Sequence, residues 1–329
     1  MNHETVEKLY DLIDDMAMLL VEHANMKYVD ALVAVGENVV RQDVLQELET
    51  EIEIQVYNGV KSLNNQTFEK EEVRKALQLV LLKGMKADSI PMDTMTPDSI
   101  GLIVGYLIGL LNQKIDDLSL ADFTVGTGNL LTSVLNGLTD VPAQIYGVDD
   151  DYQLLALAKM MADMQDYEVQ FFHQSSARAM AVAPVDVIIG DLPAGGTVQA
   201  ADIHSELAKA GCDDLGYLLI ENHLNHLAEG GFGIYVINND FFSKFHIGEF
   251  HQMLTARAEI GMLLQLPTKL FKDASKAKSI FVIKKVEKGH NQSLRIHVNQ
   301  FPDLSDREGF QLMLTNLQKW ITINKWARN

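Results

Sequence analysis

The sequence predicts an α/β protein, an open and mostly parallel sheet preceded by a separate helical domain. Three observations carry that reading. Residues 1–90 contain no proline and repeat apolar positions at helical spacing. From residue 91 onward, apolar runs of strand length alternate with helical patterns, the signature of a sheet covered on both faces. A glycine turn, Gly126-Thr127-Gly128, joins the first strand to the helix after it. The division places a helical domain at residues 1–90 and an α/β domain with a basic C-terminal segment at residues 91–329. The link is the proline-bearing stretch Asp88-Ser89-Ile90-Pro91-Met92-Asp93.

In the first domain, Val6, Leu9, Tyr10, Ile13, Met16 and Leu20 fall on one helical face. Val40, Val44, Leu48 and Ile52 form a second stripe, and Val73, Leu77, Val80 and Leu81 a third. A polar break from Ser62 to Thr67 separates the last two helices. These stripes face a core; the domain also offers a surface for oligomerisation, which the residues leave undecided.

The second domain opens at Met95-Thr96-Pro97-Asp98, with Thr96 as N-cap and Pro97 in the first helical position. Residues 100–111 follow as a buried helix. Strands are expected over residues 119–125, 143–148, 168–173, 185–191 and 231–238, and helices over 150–164 and 214–229.

The stretch from Ala121 to Leu131 organises this domain. Gly126 and Gly128 carry no Cβ, so the backbone can turn sharply and admit a ligand to the amides at a helix N-terminus. Asp122 at the strand end is placed to hold a positive group. The next strand ends in Asp149, where nucleotide-binding sheets put the acid that takes the ribose hydroxyls. No third glycine follows Gly128, and an acid precedes the turn, so the pocket suits an adenosine ligand with an amine and no phosphate. S-adenosylmethionine is such a ligand.

A second informative stretch runs from Val185 to Ala194. A buried strand stops at Asp191 and Pro193 stiffens the turn, holding a carboxylate and the Leu192 carbonyl at the rim. Two fixed acceptors there can hold an amine; a polar strand end in a turn is the structural alternative. Asp122, Asp149 and Asp191 all end strands, so one crevice beyond the sheet is expected to collect them.

The net charge of −18 is uneven. Residues 1–90 carry 9 Lys/Arg against 17 Asp/Glu, residues 91–240 carry 4 against 21, and residues 241–329 carry 14 against 7. An acidic body argues against strong non-specific binding to nucleic acid. Lys269, Lys272, Lys276, Lys278, Lys284, Lys285 and Lys288 nevertheless crowd one segment. They read either as a solvated loop and edge strand or as a patch that contacts phosphates. The single cysteine, Cys212, excludes an internal disulfide framework. The longest apolar run, residues 102–111, cannot span a bilayer, and the N-terminus is polar. A cytoplasmic protein with no membrane association is expected. His223 and His226 share a helical face near Glu221 but read as helix surface, and the run Asp149-Asp150-Asp151 as ribose binding plus an acid-rich helix start, so no metal site is expected.

Taken in order, these motifs resemble the adenine-N6 DNA methyltransferases of the gamma class, which include type I restriction modification subunits. The small adenine-methylase-like proteins of Gram-positive bacteria are the nearest in pattern. The resemblance covers residues 91–286 and implies a Rossmann-like class I S-adenosylmethionine-dependent methyltransferase sheet. It implies that Thr96 of Thr96-Pro97 helps hold the methionine end of the cofactor. The stretch Asp122-Phe123-Thr124-Val125-Gly126-Thr127-Gly128 becomes the cofactor motif, with Phe123 in place of a proline and packing on the ligand. Asp149 and Asp150 fall at the ribose-binding position, and Ser175 or Ser176 stands where the family has an acid near the adenine. Asp191-Leu192-Pro193-Ala194 occupies the catalytic Asn/Asp-Pro-Pro-aromatic motif, with Asp191, Leu192 and Pro193 as its catalytic residues. The aromatic is missing at Ala194, and Gly195, Gly196 and Thr197 do not replace it. The implied activity is methyl transfer to an adenine amine; the alternative is a cofactor-binding protein with a regulatory role.

Overall fold

Apolar periodicity in the first 90 residues produces four helices, α1 (His3–His23), α2 (Tyr28–Arg41), α3 (Thr50–Asn64) and α4 (Lys70–Ala87). The computed structural model describes residues 2–91, 95–198, 205–271, 273–286 and 295–328. Met92 and Asp93 of the expected link, and Lys272 and Lys288 of the lysine cluster, lie outside the described residues. Asn2 caps α1 by accepting from the Glu4 amide at 3.0 Å. A capping box formed by Glu69 and Glu72 starts α4. The stripe from Val40 to Ile52 is not one helix. α2 stops at Arg41 because Gln42 turns left-handed at φ 58° and the buried Asn38 gathers the chain that follows. Its carboxamide accepts from the Leu45 amide at 3.1 Å and donates to Gln46 at 2.7 Å, leaving Val40 exposed.

After α5 (Asp98–Leu111), the chain alternates β1 (Ser119–Asp122), α6 (Asn129–Gly137), β2 (Gln144–Asp149), α7 (Tyr152–Asp163), β3 (Gln170–His173) and β4 (Val185–Asp191). It continues through α8 (Glu206–Lys209), α9 (Leu215–Asn225), β5 (Leu227–Asn238), α10 (Ile247–Thr255), β6 (Ala258–Gln265), β7 (Lys278–Lys285), β8 (His297–Gln300) and α11 (Arg307–Asn324). The helix at Thr96-Pro97 therefore starts one residue later than expected, at Asp98, and it leaves Leu102 exposed. The first strand ends at Asp122, and the helix expected to reach residue 229 stops at Asn225 because β5 has begun.

The eight strands run in the order β3-β2-β1-β4-β5-β7-β6-β8. β1 pairs in parallel with β2 and β4, and β4 with β5. β7 lies antiparallel between β5 and β6, and β8 is parallel to β6. The chain order reverses between β1 and β4, the switch point at which open sheets bind ligands beyond their strand ends. The sequence reading missed β6, β7 and β8, and the lysine-bearing edge strand it expected is the interior strand β7.

The chain divides into two compact units, each assembled from three segments of the chain. One comprises residues 1–101, 125–136 and 151–171. Its core joins the helical stripes to Leu157, Met160 and Met161 of α7. Gly36 of α2 makes room for that helix, since a Cβ there would come within 2.4 Å of the Met160 side chain. The other unit comprises residues 102–124, 137–150 and 172–329 and holds a core of sheet and helix residues including Phe123, Ile188, Tyr217, Leu224 and Tyr235.

Candidate active site

The switch point brings three aspartates to neighbouring strand ends. Asp122 of β1 is in register with Gly147 of β2 and Ile189 of β4, so Asp149 and Asp191 stand two residues beyond it on either side. Asp122 is wholly buried. Its Oδ1 accepts from the Thr124 amide at 3.1 Å, whereas Oδ2 has no hydrogen-bond partner. Burial pushes its pKa up to about 8, and the charges of Asp149 and Asp191 add to the rise. Gly190, next to Asp191, leaves space for Thr124, whose Oγ1 would lie 2.6 Å from an added Cβ.

The turn that follows closes through a 2.8 Å bond from the Gly128 amide to the Val125 carbonyl. Gly126 and Gly128 adopt φ of 51° and 78°. A Cβ on Gly128 would also meet the Ala158 backbone at 2.9 Å, so this position requires glycine. Asn129 begins α6 and donates to the Thr96 carbonyl at 2.6 Å, tying the turn to the Thr-Pro stretch. Arg74 of α4 secures both. Its guanidinium donates to Asn129 at 3.0 Å, to Asp98 at 2.7 Å and to both oxygens of Glu71 at 2.6 and 2.8 Å. Arg74 is 1% exposed. The sequence reading passed over it because it lies beside the apolar stripe of α4; the acid three residues earlier, Glu71, was the available signal.

The Phe123 ring is buried edge-on against His223 and His226, at 5.2 and 6.0 Å. His223 is correspondingly no surface residue: it is fully buried, neither ring nitrogen has a partner, and burial pushes its pKa down to about 3. His226 lies 2.8 Å from the Val182 carbonyl, and Glu221 accepts from Ser205 and from the Glu206 amide. Among the described residues no group of three or more His, Cys, Asp and Glu side chains is placed to hold a metal ion.

At the end of β2, the Asp149 carbonyl accepts from the Gln174 amide at 3.0 Å, so the chain before Ser175 is fastened to that strand end. The half-buried Ser175 accepts through its carbonyl from the Arg178 amide at 3.2 Å. Asp150 is exposed, with its carbonyl 3.0 Å from His173. Asp151 caps α7 through bonds from the Gln153 and Leu154 amides, which accounts for the last acid of the run.

At the end of β4, Asp191 forms a 2.5 Å ion pair with Lys278, the first residue of β7. Leu192 is buried and its amide donates to the Val236 carbonyl at 2.9 Å. Pro193 through Thr197 are exposed. Gly196 adopts φ 123°, its carbonyl accepts from the Leu215 amide at 3.1 Å, and Thr197 bridges to Asp214.

The described lysines of the segment are engaged in different ways. Lys284 and Lys285 donate to the carbonyls of Trp326 and Leu227, and burial lowers the pKa of both. Lys278 is committed to Asp191, while Lys269 is exposed and pairs with Asp303. Among the described residues no helix is long and apolar enough to cross a membrane.

The N-6 DNA methylase family model matches residues 93–327, and the model of the YtxK N-terminal helical domain matches residues 7–85. The uncharacterized protein YtxK of Bacillus subtilis is 33% identical over 271 residues, 81% of this chain and 82% of that protein. A crystal structure from Listeria monocytogenes, described as a class I S-adenosylmethionine-dependent methyltransferase, superposes with a TM-score of 0.85 at 30% identity, covering 97% of this chain and 99% of that one. The modification subunit of a type I restriction enzyme from Vibrio vulnificus shares the fold, with a TM-score of 0.64 at 15% identity over 89% of this chain and 65% of that one.

Proposed function

The chain belongs to the N-6 DNA methylase family, and from that premise we propose that it binds S-adenosylmethionine and directs methyl transfer to an adenine amine in nucleic acid. The observation that carries this reading is Asp122, a buried acid at the switch point with an unpartnered Oδ2, four residues before Gly126 in the chain. That orphaned acceptor fits the ammonium end of such a cofactor. Thr96, Thr124, Gly126 and Gly128 would complete its binding, Asp149 and Asp150 would take the ribose hydroxyls, and Ser175 would lie toward the adenine.

The bound cofactor supplies an activated methyl group, so the chain contributes positioning and electrostatics. Asp191 and the Leu192 carbonyl accept the two hydrogens of the target amine and favour a tetrahedral nitrogen. Pro193 restricts the turn that holds both acceptors. An extruded base also requires a stacking surface, and residues 193–197 supply no aromatic. That gap favours a second reading, a cofactor-binding protein whose methyl transfer is slow or lost and whose role is an interaction.

Titration calorimetry with S-adenosylmethionine and its demethylated product tests the cofactor site. Asp149→Ala is expected to weaken binding, and absence of heat with either ligand would overturn the reading. Transfer of labelled methyl to DNA and RNA then separates the enzyme from the binding protein.

A further inference from the structure

We propose that Lys278 is a built-in occupant of the amine-accepting carboxylate, so that a target amine reaches Asp191 only by displacing the chain's own ammonium. The inference rests on the amine-acceptor role given to Asp191 above, and it explains why that acceptor is already engaged.

The topology makes the contact specific. Asp191 is in register with Val236 of β5, and Asn238, two residues further along β5, is opposite Lys278 of β7. The lysine therefore starts two residues beyond the level of Asp191, on the far side of β5, and its side chain crosses that strand to reach the carboxylate. Its backbone is held in place by a 3.0 Å bond from the Leu266 amide to the Lys278 carbonyl. The neighbouring Ser279 hydroxyl donates to Asn239 at 2.7 Å, fixing the start of β7 on its other side. The two partners are 17% and 13% exposed, so their 2.5 Å contact is shielded from bulk water.

The pair is not needed to join the strands, because backbone ladders already connect β4 to β5 and β5 to β7. It does match the chemistry of the site. Asp191 faces an amine in this structure, as the reaction requires, but the amine is a lysine ammonium. Asp149 brings further negative charge to the same strand ends, and Lys278 supplies a neutralising cation. An adenine amine is neutral and cannot replace that charge, so it competes at a disadvantage against an ion pair.

The test is adenosine binding, measured by calorimetry on the full chain with and without S-adenosylhomocysteine. Lys278→Met is expected to tighten adenosine binding about tenfold, the scale of a part-buried ion pair. Lys278→Arg retains the positive charge and is expected to bind adenosine no better than the native chain. Asp191→Asn gives an independent check should Lys278→Met fold poorly: its amide releases the lysine, keeps one acceptor oxygen, and should also bind adenosine more tightly. Adenosine affinity that is unchanged or weaker in the folded Lys278→Met and Asp191→Asn chains overturns the proposal. So does the absence of adenosine binding in every chain. Heat from S-adenosylhomocysteine reports separately on the cofactor reading, so failure of one is distinguishable from failure of the other.

Discussion

The turns that leave β1 and β4 begin on adjacent parallel strands, each with an aspartate at the strand end, and they are built in opposite ways. After β1, Asp122 is buried, Gly128 is conformationally required, and Asn129 is held by Arg74 and by the Thr96 carbonyl. Phe123 is packed beneath against two imidazoles. After β4, the carboxylate is paired with a lysine, and residues 193–197 are exposed, two of them glycine. A braced turn keeps a fixed set of acceptors and amides in place before any ligand arrives, the condition for low-cost binding. An exposed turn without an aromatic has no comparable surface for a base. Under the function proposed above, the turn assigned to the cofactor is the better built of the two.

The comparison breaks most sharply if the brace can be removed without effect. Arg74→Met deprives Glu71 and Asp98 of their buried cation, and a loss of about 3–5 kcal/mol is expected from breaking such a network. Thermal unfolding should show the loss. Arg74→Lys should recover only part of it, because one ammonium cannot reproduce the guanidinium's bonds to three side chains. A native melting temperature with intact cofactor binding in Arg74→Met would mean that the turn holds itself.

His223 supports the β1 turn through Phe123 and can be probed with acid. Its folded pKa of about 3 lies below the ordinary value of 6.5, so the unfolded chain takes up a proton first as pH falls. Stability from this group is complete above pH 6.5 and declines below it, by about 2 kcal/mol at pH 5. His223→Leu should flatten that part of the pH–stability curve. An unchanged slope would remove His223 from the account.

On the β4 side, an aromatic should narrow the difference. Tyrosine at Thr197 is the suitable substitution; Gly196 is unsuitable because its φ of 123° strains any L side chain and its Cβ would press on Leu215 at 3.1 Å. Restored stacking is worth about 1–3 kcal/mol per base, so methyl transfer to adenine-containing DNA should rise in Thr197→Tyr if base retention limits the native chain. Equal rates would place the limitation elsewhere, with Lys278 the next residue to test.

Much of this contrast was legible in the sequence, for a physical reason. Strand ends, glycine turns and caps are local, so Asp122, Gly126, Gly128, Asp149 and Asp191 announced their positions through spacing alone. The missing aromatic at Ala194 was equally visible. What escaped was tertiary. Arg74 reaches Asn129 across 55 residues of chain, and Lys278 reaches Asp191 across 87. The lysines of β7 disguised an interior strand as a solvated edge, because Lys284 and Lys285 bond to carbonyls and Lys278 to a carboxylate, which allows them to sit half-buried. His223 read as surface because a histidine on an amphipathic helix carries no sign of how deeply the helix is buried. The stripe from Val40 to Ile52 failed for the converse reason: a buried asparagine broke the helix, and periodicity alone does not register it.

The smallest expected effect concerns the proton on Asp122, and it tests what the β1 turn is for. With a folded pKa of about 8 against an ordinary value near 4, the free protein holds Asp122 protonated at neutral pH while the unfolded chain does not. Folding stability from this group therefore falls as pH rises from about 4 to 8, and Asp122→Asn should remove that slope. A ligand cation set against Oδ2 favours the carboxylate, so binding at pH 7 should release up to about one proton. Calorimetry with S-adenosylmethionine in buffers of different ionisation enthalpy measures this directly. Affinity should also tighten by at most about tenfold per pH unit between pH 6 and 8. Both signatures should vanish in Asp122→Asn, even where binding itself survives. If the heat is independent of buffer in the native chain, no cation comes to Asp122, and its burial serves the architecture of the turn and not the capture of the ligand.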